Sequence, residues 1–476
     1  MQTKLVIGGE RRDGSEGDTV DVLNPANGEL VATVAAGSVD DMLAACDVAS
    51  EAQKSWAATA PRVRAELLRG CYQVMIDNAD ALADIIVAEH GKPKADALGE
   101  IAYGAEFFRW NSEEAVRLQG TVGMNPAGNA RMIVHHPPVG VVLMVTPWNF
   151  PAAMITRKIA PALAAGNACV IKPAKETPLT ALALADLFEN EVGLPAGLVN
   201  MVTTKSASKP VAAAMDHNAI RMVSFTGSTE VGRILLQQAS GRVLKTAMEL
   251  GGNAPFIVFA DADLDAAVEG ALAAKMRHSA ETCTAANRFF VEESVMDEFG
   301  EKLAAAMGAM KVGDGTAEGT QVGPLINQDA VDNVDRLVTA AVAGGATALS
   351  GGSPMDGPGF FYPPTVLAGV SPANPITSEE IFGPVAPLIG FSDEDDMIAM
   401  ANDTEMGLIG YVFTEDLAKG LRVSEQIQAG IIGLNRGVAS DPAAPFGGMK
   451  QSGVGREGAS EGIYEFCETQ YIATNW

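Results

Sequence analysis

The chain has 476 residues, 47% apolar and 19% charged, enough for roughly two to three domains and too apolar for a disordered protein. Its 33 basic and 59 acidic residues leave 33 − 59 = −26 formal charges, which argues against nucleic acid or an anionic membrane surface as a partner, since both are polyanions. Any small anionic ligand must be held by local cations and backbone N–H groups, against the field of the whole chain.

After a short N-terminal strand region, TVDVLNPANGELVATV, the stretch SVDDMLAACDVASEAQKSW places Ser38 and Asp41 in capping-box register ahead of apolar residues at helical spacing. Residues 61–110 carry long helical patterns, opened by Pro61 and interrupted near EHGKP. From about residue 139 short apolar runs (VGVVLMVT, ACVIK, LVNMV, RMVSFTG) alternate with helical stretches, the pattern of a parallel, doubly wound sheet. In such sheets ligands bind at the carboxyl ends of the strands. A second alternating set, from APFIVFA through the helical stretch DADLDAAVEGALAAKMR, which ends at Arg277, to SVMDEFGEKLAAAMGAM, predicts a second α/β domain over about 252–450. Segment 118–138 and the C-terminal ETQYIATNW read as strands that join neither sheet obviously.

The five cysteines are scattered without a CxxC pair, as in a reduced intracellular protein. The five histidines show no metal-ligand spacing, so no metal is expected, and His135–His136 before Pro137–Pro138 reads as a connector. The longest uncharged apolar stretch contains four prolines and reads as a buried strand and turn, not a membrane helix. MQTKLVIGGERRDG has too short an apolar run for a signal peptide, and a cytoplasmic location is expected.

Four stretches carry possible chemistry. In RMVSFTGSTEVGR, a strand ends near Phe225, Gly227 and Ser228 make a turn, and a helix begins near Thr229 with Gly232 in its first turn. Its free N–H groups form an anion site, unless the glycines simply close the turn. In AMELGGNAPF, Glu249 stands at a strand end beside two glycines, as a general base with a raised pKa or as an exposed strand-end glutamate. In TPWNFP, Asn149 sits in a stiff turn, as an oxyanion donor or as a turn asparagine bonded to its own backbone. Cys283, among small residues and six positions after Arg277, is a nucleophile whose thiolate a nearby cation favours, or a buried, inert thiol.

Taken together, Asn149, Lys172, GSTEVG at 227–232, ELGG at 249–252, Cys283 and EEIFGP at 379–384 resemble the aldehyde dehydrogenase superfamily in order and spacing, over nearly the whole chain. The resemblance implies two doubly wound α/β domains with a small β oligomerisation arm. The cofactor domain is expected over 1–117 and 139–251, the catalytic domain over 252–450, and the arm over 118–138 and 460–476. It also implies oxidation of an aldehyde by NAD(P), with Cys283 as nucleophile, Asn149 as oxyanion donor and Glu249 as hydrolytic base. Trp148, Lys172, Gly227, Ser228, Gly232, Leu250, Glu380 and Phe382 are the implied cofactor contacts.

Lys175 stands where NAD-preferring relatives often carry a glutamate, and a cation there suits the 2′-phosphate of NADP, which is the cofactor expected, with NAD possible. PWNFPAAMITRK with Arg277 and Cys283 resembles the succinate-semialdehyde branch, in which Arg157, Arg277 and Ser440 hold the substrate's distal carboxylate. Other anionic aldehydes, such as glutarate semialdehyde or a sulfonate aldehyde, are the alternative, as is a non-catalytic structural paralogue. Relatives usually read G-Q-T-C where this chain has Ala280–Glu281–Thr282–Cys283, and a carboxylate pointing inward there raises the thiol pKa. A homodimer or homotetramer is expected.

Overall fold

The strand Val141–Val145 is buried at every position and pairs in parallel with Ala168–Lys172 on one side and Ile220–Thr226 on the other. Val199–Met201 and Lys245–Glu249 extend the parallel set outward, and Leu5–Ile7 with Glu10–Arg12 closes one edge in antiparallel fashion. Gly453–Val454 closes the other edge, returning from beyond residue 450 to lie beside Lys245–Glu249. Strand order therefore reverses between Val141–Val145 and Ile220–Thr226. Ligand crevices form outside the carboxyl ends of the strands at such a switch point. The register brings Val145, Lys172, Phe225 and Glu249 to that one end.

A second sheet of seven strands runs from Thr347–Ser350 at one edge, through Ala286–Glu292 and Ala254–Val258, to Ile431–Leu434 at the other, parallel except at its first pairing. Apolar clusters cover both of its faces, while a larger one surrounds the first sheet. The chain thus has two doubly wound α/β units. A third, small antiparallel sheet joins Thr121–Met124, Arg131–His135 and Gln470–Thr474. The computed structural model describes residues 1–475; Trp476, the last residue of the strand-like C-terminal stretch, lies outside the described residues. Among the described residues no helix is long and apolar enough to cross a membrane.

Local signals explain the element starts. Ser38 accepts from the Asp41 backbone and the Asp41 carboxylate returns the bond, so the capping box opens the helix Val39–Ala57. Pro61 begins the helix Pro61–Asp77, where its missing N–H costs nothing. Two expectations are corrected. His135 is the last residue of a strand, bonded through Nε2 to Gln470, rather than a connector. The helix read as running to Arg277 ends at Lys275, because His278, Ser279 and Ala280 take left-handed backbone angles, φ 51°, 57° and 67°.

Candidate active site

Two cavities meet at Cys283. One, of about 250 Å³, is lined by Tyr103, Phe150, Arg157, Arg277, Ser440 and Phe446, and Cys283 forms part of its wall. The other, of about 210 Å³, lies at the switch point and is lined by Trp148, Asn149, Ser228, Leu250, Glu380 and Phe382, again with Cys283. Cys283 is half-buried and is a free cysteine. Its thiol is pushed up to about 12 by burial, reinforced by Glu380 and opposed by Arg157. The expectation that nearby cations make it a resting thiolate is therefore corrected: desolvation outweighs the guanidinium. Close approach of this loop to the first domain depends on Gly252, where a β-carbon would collide with the Cys283 carbonyl oxygen.

Asn149 is buried and donates through Nδ2 to the Glu281 carbonyl at 2.9 Å, so it is not a turn asparagine closed on its own backbone. An amide nitrogen has two hydrogens, and the second remains for a ligand. The turn is held from behind: Lys92 Nζ donates to the Asn149 carbonyl at 2.7 Å and to Glu100 Oε2 at 2.7 Å, while Glu100 Oε1 accepts from the Ala152 and Ala153 N–H groups. Lys92 and Glu100 are fully buried, and a paired charge is the form in which burial is tolerated. Neither stood out in the sequence, although Lys92 lies in the EHGKP interruption.

Glu249 is buried, not an exposed strand end, and its Oε2 has no hydrogen-bond partner. Burial first, and then the charge of Glu457, raise its carboxyl well above the ordinary range, with Arg157, Lys158 and Arg456 opposing. It forms part of neither cavity wall. Glu457 was also missed. Burial alone would raise its carboxyl, but Arg157, 2.5 Å away, and Lys158, 2.6 Å away, hold it below the ordinary value.

The two expected anion-binding arginines differ. Arg157 is buried between the Phe446 and Phe107 rings, 4.0 and 5.4 Å from their centroids; its Nε pairs with Glu457, and its Nη2 has no hydrogen-bond partner among the described residues. Arg277 makes no ion pair among the described residues, and its Nε is unpartnered. Both line the cavity with Ser440, whereas Asp441 is exposed and accepts from Ala443 N–H outside it. Glu281 points away from the thiol: Oε1 accepts from Ile326 N–H and Oε2 faces His90.

On the other side, Ser228 caps the helix Thr229–Ser240 by accepting from Val231 N–H at 3.4 Å. Glu380 accepts from Gly252 N–H at 3.1 Å, and burial pushes its carboxyl up to about 7. Trp148 and Phe382 meet edge to face, ring centroids 5.5 Å apart. Gly232 does not line this cavity, and a β-carbon there would collide with Leu250. Lys172 ends its strand, buried and without an ion pair, and Lys175 is exposed, 3.8 Å from Glu176; neither lines the cavity that reaches Cys283. A crevice at the switch point, a capped helix N-terminus and two lysines at and just after the neighbouring strand end fit a dinucleotide.

A free cysteine shared by a switch-point crevice and a pocket with two arginines, set among two doubly wound α/β units, is an arrangement suited to a dinucleotide-dependent oxidoreductase. The chain belongs to the aldehyde dehydrogenase family, whose profile matches residues 12–472. It is 55% identical over 443 residues to a succinate-semialdehyde dehydrogenase of Paenarthrobacter nicotinovorans, covering 93% of this chain and 98% of that protein. It is 46% identical over 473 residues to the NADP(+) succinate-semialdehyde dehydrogenase GabD of Escherichia coli (strain K12), covering 99% and 98%. The crystal structure of an E. coli NADP-dependent enzyme superposes with a TM-score of 0.98 at 45% identity, covering 100% of this chain and 98% of that one.

Proposed function

We propose that the protein oxidises succinate semialdehyde to succinate with NADP. The observation that carries this reading is that Cys283 is shared by a cavity lined with Arg157, Arg277 and Ser440 and by a cavity at the strand switch point. The arginines bind the substrate's carboxylate and place its aldehyde carbon over the sulfur. Cys283 attacks that carbon as its thiolate, the thiol proton passing to water, and the S–C bond forms as the carbonyl oxygen becomes an oxyanion. The second Asn149 N–H and the Cys283 backbone N–H stabilise this charge, which exists only after attack. NADP, when bound, supplies the hydride acceptor that turns the thiohemiacetal into a thioester. Glu249 then takes a proton from water, the water oxygen attacks the thioester carbon, and the C–S bond breaks to release succinate.

Ser228, Glu380, Phe382 and Trp148 hold the nicotinamide half of the cofactor, and Lys172 and Lys175 its adenosine half, with Lys175 on the 2′-phosphate. Assay of succinate semialdehyde, glutarate semialdehyde and propanal with NADP and NAD tests the reading. The highest kcat/KM is expected for succinate semialdehyde with NADP, and a preference for propanal refutes it.

The small three-stranded sheet leaves Val122, Met124, Tyr471 and Ile472 exposed, which supports an arm covered by a second copy of the chain in a dimer or tetramer. Five free cysteines suit a reducing cytoplasm.

A further inference from the structure

His90 and Glu281 are both fully buried, with His90 Nε2 3.9 Å from Glu281 Oε2. Both ring nitrogens of His90 and Oε2 of Glu281 lack any hydrogen-bond partner. A buried polar atom left without a partner is costly, so native structures seldom keep three together without a reason. The groups around the pair narrow its charge state. Lys92 is a cation whose charge acts on both groups, but its ammonium is committed to Glu100 and to the Asn149 carbonyl. His278, on the facing loop, is held neutral by burial, and its backbone N–H is taken by Asp96. Ile326 offers Glu281 one N–H and no charge. An ionised Glu281 beside a neutral imidazole would therefore leave an uncompensated charge in the interior, the costliest arrangement available. A single proton held between the two groups removes that charge, and a small rotation of the carboxyl closes the gap to a hydrogen bond.

Both residues connect directly to the reacting centre. The Glu281 carbonyl receives the Asn149 amide at 2.9 Å, and Glu281 lies two residues before Cys283. His90 packs on Trp148, ring centroids 5.7 Å apart, next to Asn149 in the chain. The contact thus ties the segment that carries the oxyanion donor to the segment that carries the thiol.

We propose that Glu281 and His90 share one proton as a charge-neutral clamp, and that both are positioning residues which aim the free Asn149 N–H at the oxyanion. The proposal rests on the reading of Asn149 as oxyanion donor. Because the oxyanion forms only after attack, loosening the clamp lowers kcat and leaves KM alone.

The test compares kcat and KM for succinate semialdehyde in the wild type, Glu281→Gln, Glu281→Leu, His90→Leu and Asn149→Ala. Glutamine keeps a donor toward His90, so Glu281→Gln is expected within about twofold of wild-type kcat. The two leucine variants are expected to lose roughly tenfold or more in kcat with KM unchanged, part of the 10²–10³ lost when an oxyanion donor is removed outright. Equal losses in Glu281→Gln and Glu281→Leu, or none in either leucine variant, overturn the clamp. A harmless Asn149→Ala instead overturns the oxyanion reading, which keeps the two failures distinct. An infrared difference spectrum of wild type minus Glu281→Gln at neutral pH needs no leucine variant to fold. It is expected to contain one protonated-carboxyl C=O band, and a carboxylate pair in its place refutes the shared proton.

Discussion

Arg157 Nε lies 2.5 Å from Glu457 Oε2, two buried groups 300 positions apart in sequence that join the candidate anion pocket to the surroundings of Glu249. Glu457 compensates Arg157 and Lys158 and, after burial, is the largest influence raising the Glu249 carboxyl. Neutralising it in Glu457→Gln removes that repulsion, so Glu249 ionises at lower pH. A general base works ionised, and the acidic limb of the kcat–pH profile is therefore expected to move to lower pH. The same change strands two buried cations and is expected to cost about 3 kcal/mol in denaturant unfolding. A limb that moves upward contradicts this electrostatic account.

The two arginines are predicted to fail differently. Arg277 has no ion pair to lose, so Arg277→Ala should lower kcat/KM for succinate semialdehyde by about 1.5–3 kcal/mol, roughly ten- to hundredfold, with propanal and stability little changed. Arg157→Ala should do the same to the substrate and also destabilise the fold, because Glu457 loses its partner. Equal losses on the charged and uncharged aldehydes count against a carboxylate pocket.

Cofactor choice is predicted to turn on Lys175, whose only ion pair is the long, exposed one to Glu176. Lys175→Glu should reduce kcat/KM for NADP by roughly tenfold or more and spare NAD, since a charge-assisted bond to phosphate contributes about 1.5–3 kcal/mol. An unchanged ratio of the two cofactors removes Lys175 from the 2′-phosphate.

Ala280 is fully buried at φ 67°, where a side chain costs roughly 1–2 kcal/mol and glycine costs nothing. Ala280→Gly loses part of that gain to the greater freedom of the unfolded chain. A net stabilisation of about 0.5–1 kcal/mol is expected by calorimetry; destabilisation shows that the buried methyl group is worth more than the strain.

Much of this was legible in the sequence because it is written in local signals. The capping box of Ser38 and Asp41 and the alternation of short apolar runs with helices depend on near neighbours alone. Asn149, Glu249 and Cys283 stood out only by order and spacing, without which each had a bland explanation. Lys92, Glu100 and Glu457 were not found, since a buried charge is recognisable only by its partner, and Glu457 meets Lys158 299 positions away. The same limit hid the direction of Glu281: a carboxylate two residues from a thiol reads as a threat, and only the fold turns it toward Ile326 and His90. The resting thiol was misjudged for a related reason, because desolvation is a property of the assembled cavity.

The central claim is a bond between Cys283 and the substrate that only Glu249 can open to water. Glu249→Gln mixed with succinate semialdehyde and NADP, and then analysed by intact and peptide mass spectrometry, tests it directly. The account predicts one equivalent of NADPH in a burst, no further turnover, and a succinyl group on the Cys283 peptide. Steady turnover, or a Cys283 peptide of unchanged mass after the burst, contradicts it.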